Sequence, residues 1–202
     1  MRKGKTASSS SAKPKKPPVV NVVVLCGLPG SGKSTFATQV EDHNWVRVNQ
    51  DDLGSCQECK KLMEKSLKKG KSVVIDRCNG SSGDRKMWLN EAKRLGVSAD
   101  RIHVLHFATN AEDCIARVQK RQNHPTLQPE RAEQVIGEFA AMFKTPSPHE
   151  GFATVETVTC EQEARQQLGR LKEMVDESGG GSSSSSGGNR GKKKGGGGGR
   201  RG

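Results

Sequence analysis

Eight residues near the start of the chain, Gly27-Leu28-Pro29-Gly30-Ser31-Gly32-Lys33-Ser34, satisfy every fixed position of the pattern G-x-x-x-x-G-K-[ST]. The chemistry of that spacing is anion capture. Glycines let the backbone curl until several amides point inward, and the positive end of a following helix adds to the field. Gly27, Pro29, Gly30, Ser31 and Gly32 shape such a cradle. Lys33 is then expected to reach the β- and γ-phosphates, Ser34 to bind Mg²⁺ through its hydroxyl, and Thr35 to support the helix start. ATP and Mg²⁺ are the cofactors this loop implies.

Carboxylates recur where short apolar runs end. One run closes on Asn49-Gln50-Asp51-Asp52 and another on Val74-Ile75-Asp76. In an open α/β sheet, ligands sit beyond the carboxyl ends of the strands. Asp76 is therefore expected to hold Mg²⁺ through water. Asp51 or Asp52 lies where an acceptor hydroxyl meets the γ-phosphate, and a carboxylate there can take the proton. Asp51 is the expected base, and Asp52 a solvated or capping residue. Arg117 and Arg121 stand i, i+4 at the end of a helical pattern, and the polar stretch Gln122 to Gln128 follows like a short flap. A planar, permanently charged guanidinium suits a clamp on phosphate oxygens, although such a pair on a helix surface is commonly just solvated. Arg77, Arg85 and Lys86 follow the third strand as candidate acceptor contacts; Arg85 and Lys86 read more simply as surface charges.

The elements that must position these groups alternate. Val19 to Cys26, Trp45 to Asn49, Ser72 to Asp76, Arg101 to Phe107 and Phe152 to Thr159 read as strands, the first a buried central one. Between them Phe36 and Val40, then Cys56, Cys59, Met63 and Leu67, then Trp88, Ala92 and Leu95 mark helices. Ser55-x-x-Glu58, Ser81-x-x-Asp84 and Thr109-x-x-Glu112 fit the capping-box pattern. Pro129 suits the first turn of a helix to about Phe143, and Glu161 to Asp176 a last one. The expected fold is a three-layer α/β P-loop NTPase, nucleoside/nucleotide kinase-like, with a mostly parallel sheet.

The chain has 202 residues, with 34 Lys and Arg against 22 Asp and Glu. Six basic residues lie in 1–18 and six in 179–202, with no acid in either stretch, which leaves 22 against 22 in the middle. The expected organisation is a basic arm over 1–18, one P-loop kinase domain over 19–178, and a Gly/Ser/Lys/Arg tail over 179–202, both ends disordered. Such arms gain affinity for nucleic acid by releasing counterions from its backbone. Lys13-Pro14-Lys15-Lys16 could serve as a nuclear-import signal or simply as a solubilising arm, and 1–18, Ser-rich and free of acid, could also be a transit peptide. No apolar run approaches the roughly 20 residues of a membrane span, and 1–18 lacks the apolar stretch of a secretory signal. Cys26, Cys56, Cys59, Cys78, Cys114 and Cys160 include one C-x-x-C pair and no second pair to complete a zinc site, so free thiols are expected.

Taken together, the phosphate loop, Val48-Asn49-Gln50-Asp51-Asp52-Leu53-Gly54-Ser55, Val73-Val74-Ile75-Asp76-Arg77-Cys78-Asn79 and Glu150-Gly151-Phe152 resemble the kinase domain of polynucleotide kinase/phosphatase enzymes. They are also similar to the kinase-like domain of plant aprataxin-type proteins. The likeness covers about residues 20–160. It implies ATP- and Mg²⁺-dependent phosphorylation of a 5′-hydroxyl on DNA or RNA. The expected setting is a monomer, with no membrane partner, in nucleic-acid repair or end processing in the nucleus. By motif position the resemblance makes Asp51 the general base, Lys33 and Ser34 part of the nucleotide site, Arg121 the lid arginine on the transferred phosphate, and Arg117 its companion at the nucleotide. Gln50 stands where these enzymes commonly carry Arg, and Arg77 where they carry Asn. The chain has no D-x-D phosphatase motif and no H-x-H-x-H motif. Two other readings use the same loop: a small-molecule P-loop kinase, or a non-catalytic protein that binds ATP and nucleic acid.

Overall fold

The computed structural model describes residues 19–41, 43–120 and 127–179. The β-branched runs form five strands, β1 (Val22–Gly27), β2 (Trp45–Asn49), β3 (Ser72–Asp76), β4 (Ile102–Phe107) and β5 (Thr154–Val158). Seven α-helices alternate with them among the described residues: α1 (Lys33–Glu41), α2 (Gln50–Leu53), α3 (Cys56–Lys68), α4 (Ser82–Arg94), α5 (Ala111–Lys120), α6 (Ala132–Met142) and α7 (Glu161–Gly179). The strands pair in parallel in the order β2-β3-β1-β4-β5. From β1 the chain crosses to the edge strand β2, returns to β3 beside β1, and then passes to the other side for β4 and β5. The carboxyl end of β1 is therefore the switch point, where a parallel sheet opens its ligand crevice.

Side chains of one strand alternate between faces. Val22, Val24, Val48, Ile75 and Val104 pack with Met63 and Trp88 beneath α3 and α4. Val23, Leu25, Val74 and Leu105 pack on the other face with Phe36 and Val40 of α1 and Leu171 of α7. Burial on both faces is why β1, β3 and β4 are near-continuous apolar runs. A third cluster joins α5 to α6 through Cys114, Val118, Leu127, Ala132 and Ile136. It builds a separate wall over the phosphate loop.

The structure corrects several boundaries. β1 begins at Val22 and not Val19, because the buried Asn21 gives its N–H to the Ser72 hydroxyl. The segment from Pro129 opens as a 3-10 turn over Pro129–Arg131, and α6 begins only at Ala132. Another 3-10 turn holds Arg101, so β4 starts at Ile102. β5 is shorter at both ends than the run Phe152 to Thr159. Of the three expected capping boxes, that of Ser81 and Asp84 is complete. At Ser55 the side chain accepts from the Glu58 amide, but Glu58 turns away to Lys61. At α5 the cap is Asn110, whose oxygen accepts from the Asp113 amide; Thr109 donates its hydroxyl to the Ser31 carbonyl. All six cysteines are free thiols. No helix among the described residues is long and apolar enough to cross a membrane.

Candidate functional site

The loop between β1 and α1 is bent by glycines that accept no substitute. Gly30 has φ +84°, and a Cβ on it would meet the Cys114 carbonyl oxygen at 2.7 Å. A Cβ on Gly27 would meet the Phe107 carbonyl oxygen at 2.5 Å. The α1 ladder begins with the Phe36 amide, which donates to Gly32 O at 3.1 Å. The amides of Lys33, Ser34 and Thr35 precede it in the first turn and have no carbonyl behind them, which is the geometry of an anion site. Lys33 is buried and bends back over the loop, donating to Gly27 O at 2.9 Å, Leu28 O at 2.7 Å and Ser31 Oγ at 3.2 Å. Its charge is thus held inside the cradle by neutral acceptors, which an anion can displace.

The carboxyl ends of β2 and β3 lie side by side, with Asn49 level with Asp76. Asp76 is buried and fully engaged. Its Oδ1 accepts from Ser34 Oγ at 3.2 Å, and its Oδ2 from Arg47 Nε and Asn49 Nδ2, each at 2.8 Å. Arg47 also binds Asp52 at 2.6 Å. Asn49 works in a second direction too, since its Oδ1 accepts from the Asp51 amide at 2.7 Å and so caps α2. Through it the placement of Asp51 is tied to that of Asp76. Among the described residues the Asp51 carboxylate itself has no partner, and it is exposed. The two expected functional acids are therefore in opposite states, one locked and one free. Asp52, expected as a solvated or capping residue, is exposed and pairs with Arg47.

Two cavities flank the loop. One of about 310 Å³ is lined by Gly32, Lys33, Ser34, Asp51, Asp76 and Arg77. The other, about 350 Å³, is lined by Gly32, Thr35, Phe107, Thr109, Arg117 and Thr159. Arg117 reaches the loop directly, with Nη1 3.5 Å from Ser31 O. Pro29 and Gly30 also line the first cavity, and Ser31 the second. Arg121 and the flap from 122 to 126 lie outside the described residues. Ser34 and Asp76 offer hard oxygen donors, the kind that suit Mg²⁺. Among the described residues no three His, Cys, Asp or Glu side chains cluster as a metal cage. That donor set fits a metal that arrives with a nucleotide and keeps most of its ligands from phosphate and water. Cys78 also borders the first cavity, but burial pushes its thiol up, so it stays protonated.

Arg85 is neither a surface charge nor an acceptor contact. It is fully buried, and its guanidinium forks onto Glu150 at 2.8 and 2.6 Å while donating to Asn79 O at 3.0 Å. Asn79 takes a left-handed φ of 43°. Its amide donates to Leu25 O at 2.6 Å and its oxygen accepts from Trp88 Nε1 at 3.0 Å. The loop after β3 is clamped to β1 this way, and Cys78 O accepts the Gly27 amide at 3.0 Å. The network is what fixes Asp76 against the phosphate loop. Lys86 is exposed on α4. Neither the Arg85 clamp nor the Arg47 contact to Asp76 is signalled by spacing. The one hint is a charged residue inside the apolar run of β2.

Removing one partner of a buried ion pair strands the other, so Arg85→Ala should lower the unfolding free energy by about 3 kcal/mol. Denaturant midpoints measure this. Burial drives the Glu150 carboxyl upward, but hydrogen bonds from Arg85 and the Ser147 amide outweigh it and hold it below its ordinary value. A lowered carboxyl contributes stability above that ordinary value and loses it as the pH falls through the lowered one. The gap between the wild-type and Glu150→Gln proteins should accordingly shrink below pH 4.5, the ordinary value.

Comparison with known proteins adds the family context. The AAA domain family matches residues 22–57 and 54–146. Over 138 residues the chain is 37% identical to a bifunctional polynucleotide phosphatase/kinase of Schizosaccharomyces pombe, covering 68% of this chain and 33% of that protein. Over 143 residues it is 36% identical to the transcription factor bHLH140 of Arabidopsis thaliana, covering 66% of this chain and 15% of that protein. The chain thus spans a third or less of the length of these two relatives. Among solved structures, Chaetomium thermophilum Kti12 in complex with ADP-AlF3 superposes with a TM-score of 0.56 at 17% identity, over 76% of this chain and 98% of that one. That likeness is one of fold.

Proposed function

The chain belongs to the AAA domain family and has a kinase-like P-loop fold, and from that premise we propose that it transfers the γ-phosphate of ATP to a 5′-hydroxyl of DNA or RNA. The observation that carries the reading is the pairing of a locked acid with a free one across the mouth of the phosphate loop. Phosphoryl transfer asks for an anion cradle, a metal, a base and a clamp. Lys33 swings from the loop carbonyls to the β- and γ-phosphates, and the first amides of α1 receive the remaining oxygens. Ser34 and, through water, Asp76 would hold Mg²⁺, which would supply neutralisation of phosphate charge. Arg47 and Asn49 keep Asp76 oriented.

Asp51 is the general base. A carboxylate without a standing partner is free to accept a hydroxyl proton, and among the described residues Asp51 is such a carboxylate within the cavity that holds Lys33. The cavity at Arg117 takes the nucleoside half of ATP, so the donor enters from the α1–α7 side and the acceptor from the β2–β3 side. Arg121, on the segment that follows α5, is assigned to the transferred phosphate. The similarity to polynucleotide phosphatase/kinases supports a nucleic-acid acceptor over a sugar or nucleoside. The basic ends tether the chain to phosphate backbones and the nucleus is its proposed place.

A panel assay tests this reading. The full chain, Mg²⁺ and γ-labelled ATP are incubated with 5′-hydroxyl DNA and RNA oligonucleotides, free nucleosides and simple sugars. Label on the oligonucleotides supports the proposal. Label on a small molecule alone, or ATP turnover without any acceptor, overturns it.

A further inference from the structure

α6 carries a feature that phosphate chemistry does not use. Phe139 and Met142 are the large apolar side chains left exposed among the described residues, at 38% and 66% of their surface. Scattered exposed apolar residues need no explanation. These two, however, share one helix face with Val135, at positions i, i+4 and i+7. Ala132 and Ile136 of the same helix point into the α5–α6 cluster and anchor it. The face also begins inside the site. Val135 and Phe139 line the cavity of Lys33 and Asp51. Phe139 lines a neighbouring cavity of about 230 Å³ together with Gln50, Asp51 and Arg77. A molecule whose hydroxyl lies at Asp51 therefore has the rest of its body beside an open phenyl ring. Close by are a guanidinium without a partner among the described residues, Arg77, and the partnerless Gln50 Oε1.

A flat aromatic face, a free cation and an unsatisfied acceptor fit a nucleotide better than a compact polyol. We propose that this face of α6 is the platform on which the first base of a single-stranded 5′ end stacks, so that the acceptor is a strand whose terminal base is unpaired. The inference rests on the 5′-hydroxyl reading above and adds the strand state. Bases inside a duplex already cover one another's faces, and a blunt end opens only the outer face of its last pair, which pairing to the other strand keeps from turning onto a ring at the site. An unpaired base offers its whole face, and aromatic platforms accept any base because each has one. Gln50 Oε1 takes a donor from the terminal nucleoside, and Arg77 the phosphate that follows it.

The test compares three matched 5′-hydroxyl acceptors: a single strand, the same strand with an abasic first nucleotide, and a blunt duplex. The wild-type chain should show a KM about tenfold lower for the intact single strand than for either other acceptor. Phe139→Ala should raise that KM by about tenfold, leaving kcat and the KM for ATP near their original values. On the abasic strand the variant and wild type should match, and Phe139→Trp should restore the intact-strand KM. Equal loss on the intact and abasic strands, no loss on either, or a preference for the blunt duplex would overturn the platform. A wild-type chain that labels no nucleic acid at all defeats the 5′-hydroxyl reading and the platform with it, and that result appears before any variant is compared.

Discussion

Lys33→Ala should abolish phosphoryl transfer, with a loss in kcat/KM of roughly a thousandfold or more. The lysine is buried in the cradle and gives its three hydrogen bonds to loop oxygens. Its charge already lies inside the cradle before any nucleotide arrives, and an entering phosphate has only to displace the neutral loop acceptors that hold it. Such preorganised charge acts mainly where charge builds up, on the equatorial oxygens of the group in flight. ATP affinity should fall as well, because the same ammonium meets the ground-state phosphates. The fold should persist, since α1 is held by Phe36, Ala37 and Val40. Circular dichroism and a denaturation midpoint close to wild type would separate lost chemistry from lost structure. Full activity in this variant would remove the loop from the mechanism.

The second large effect belongs to Asp51. Asp51→Asn keeps shape and removes the base, so kcat should drop by about a hundredfold to ten-thousandfold while the KM for ATP changes little. The asymmetry follows from position. Asp51 is attached to the nucleotide side only through the Asn49 cap, and its carboxylate faces the cavity without a partner among the described residues. Asp76→Asn offers the contrast. That carboxylate is locked by Ser34, Arg47 and Asn49, so its loss should weaken Mg²⁺-dependent nucleotide binding and turnover together. Equal loss of ATP affinity and turnover in Asp51→Asn would make Asp51 a structural residue.

The contrast between these acids shows how far the chain could be read unaided. Strand β3 ends where its apolar run ends, because a strand covered on both faces stays apolar up to its last residues, and β2 beside it, half-buried at Val46 and Arg47, closes at Asn49 in register with it. The phosphate loop is similarly legible, since its glycines answer local needs of backbone and anion. The state of each acid is not local. Asp76 is locked by Arg47, 29 residues away, and Arg85 is buried by Glu150, 65 residues away. A helix-spaced arginine that pairs across the fold looks the same in sequence as one in solvent, which is why Arg85 read as a surface charge. Thr109 and Asn110 both have capping side chains, and the contact of Thr109 to Ser31 decided between them. Phe139 carried no motif at all; its role rests on a cavity that exists only once α6 is folded over the loop. Arg121 and the two basic ends lie outside the described residues, so their parts stay with the chemistry of their sequence.

If one cradle, one locked acid and one free acid together move phosphate onto a 5′-hydroxyl, the position of the transferred label decides the matter. The full chain is incubated with Mg²⁺, γ-labelled ATP and a single-stranded 5′-hydroxyl oligonucleotide, and the product is digested to nucleotides. Label is expected solely on the 5′ phosphate of the terminal nucleotide, absent with Lys33→Ala and strongly reduced with Asp51→Asn. Label elsewhere in the strand, or free phosphate with an unmodified oligonucleotide, would contradict this assignment.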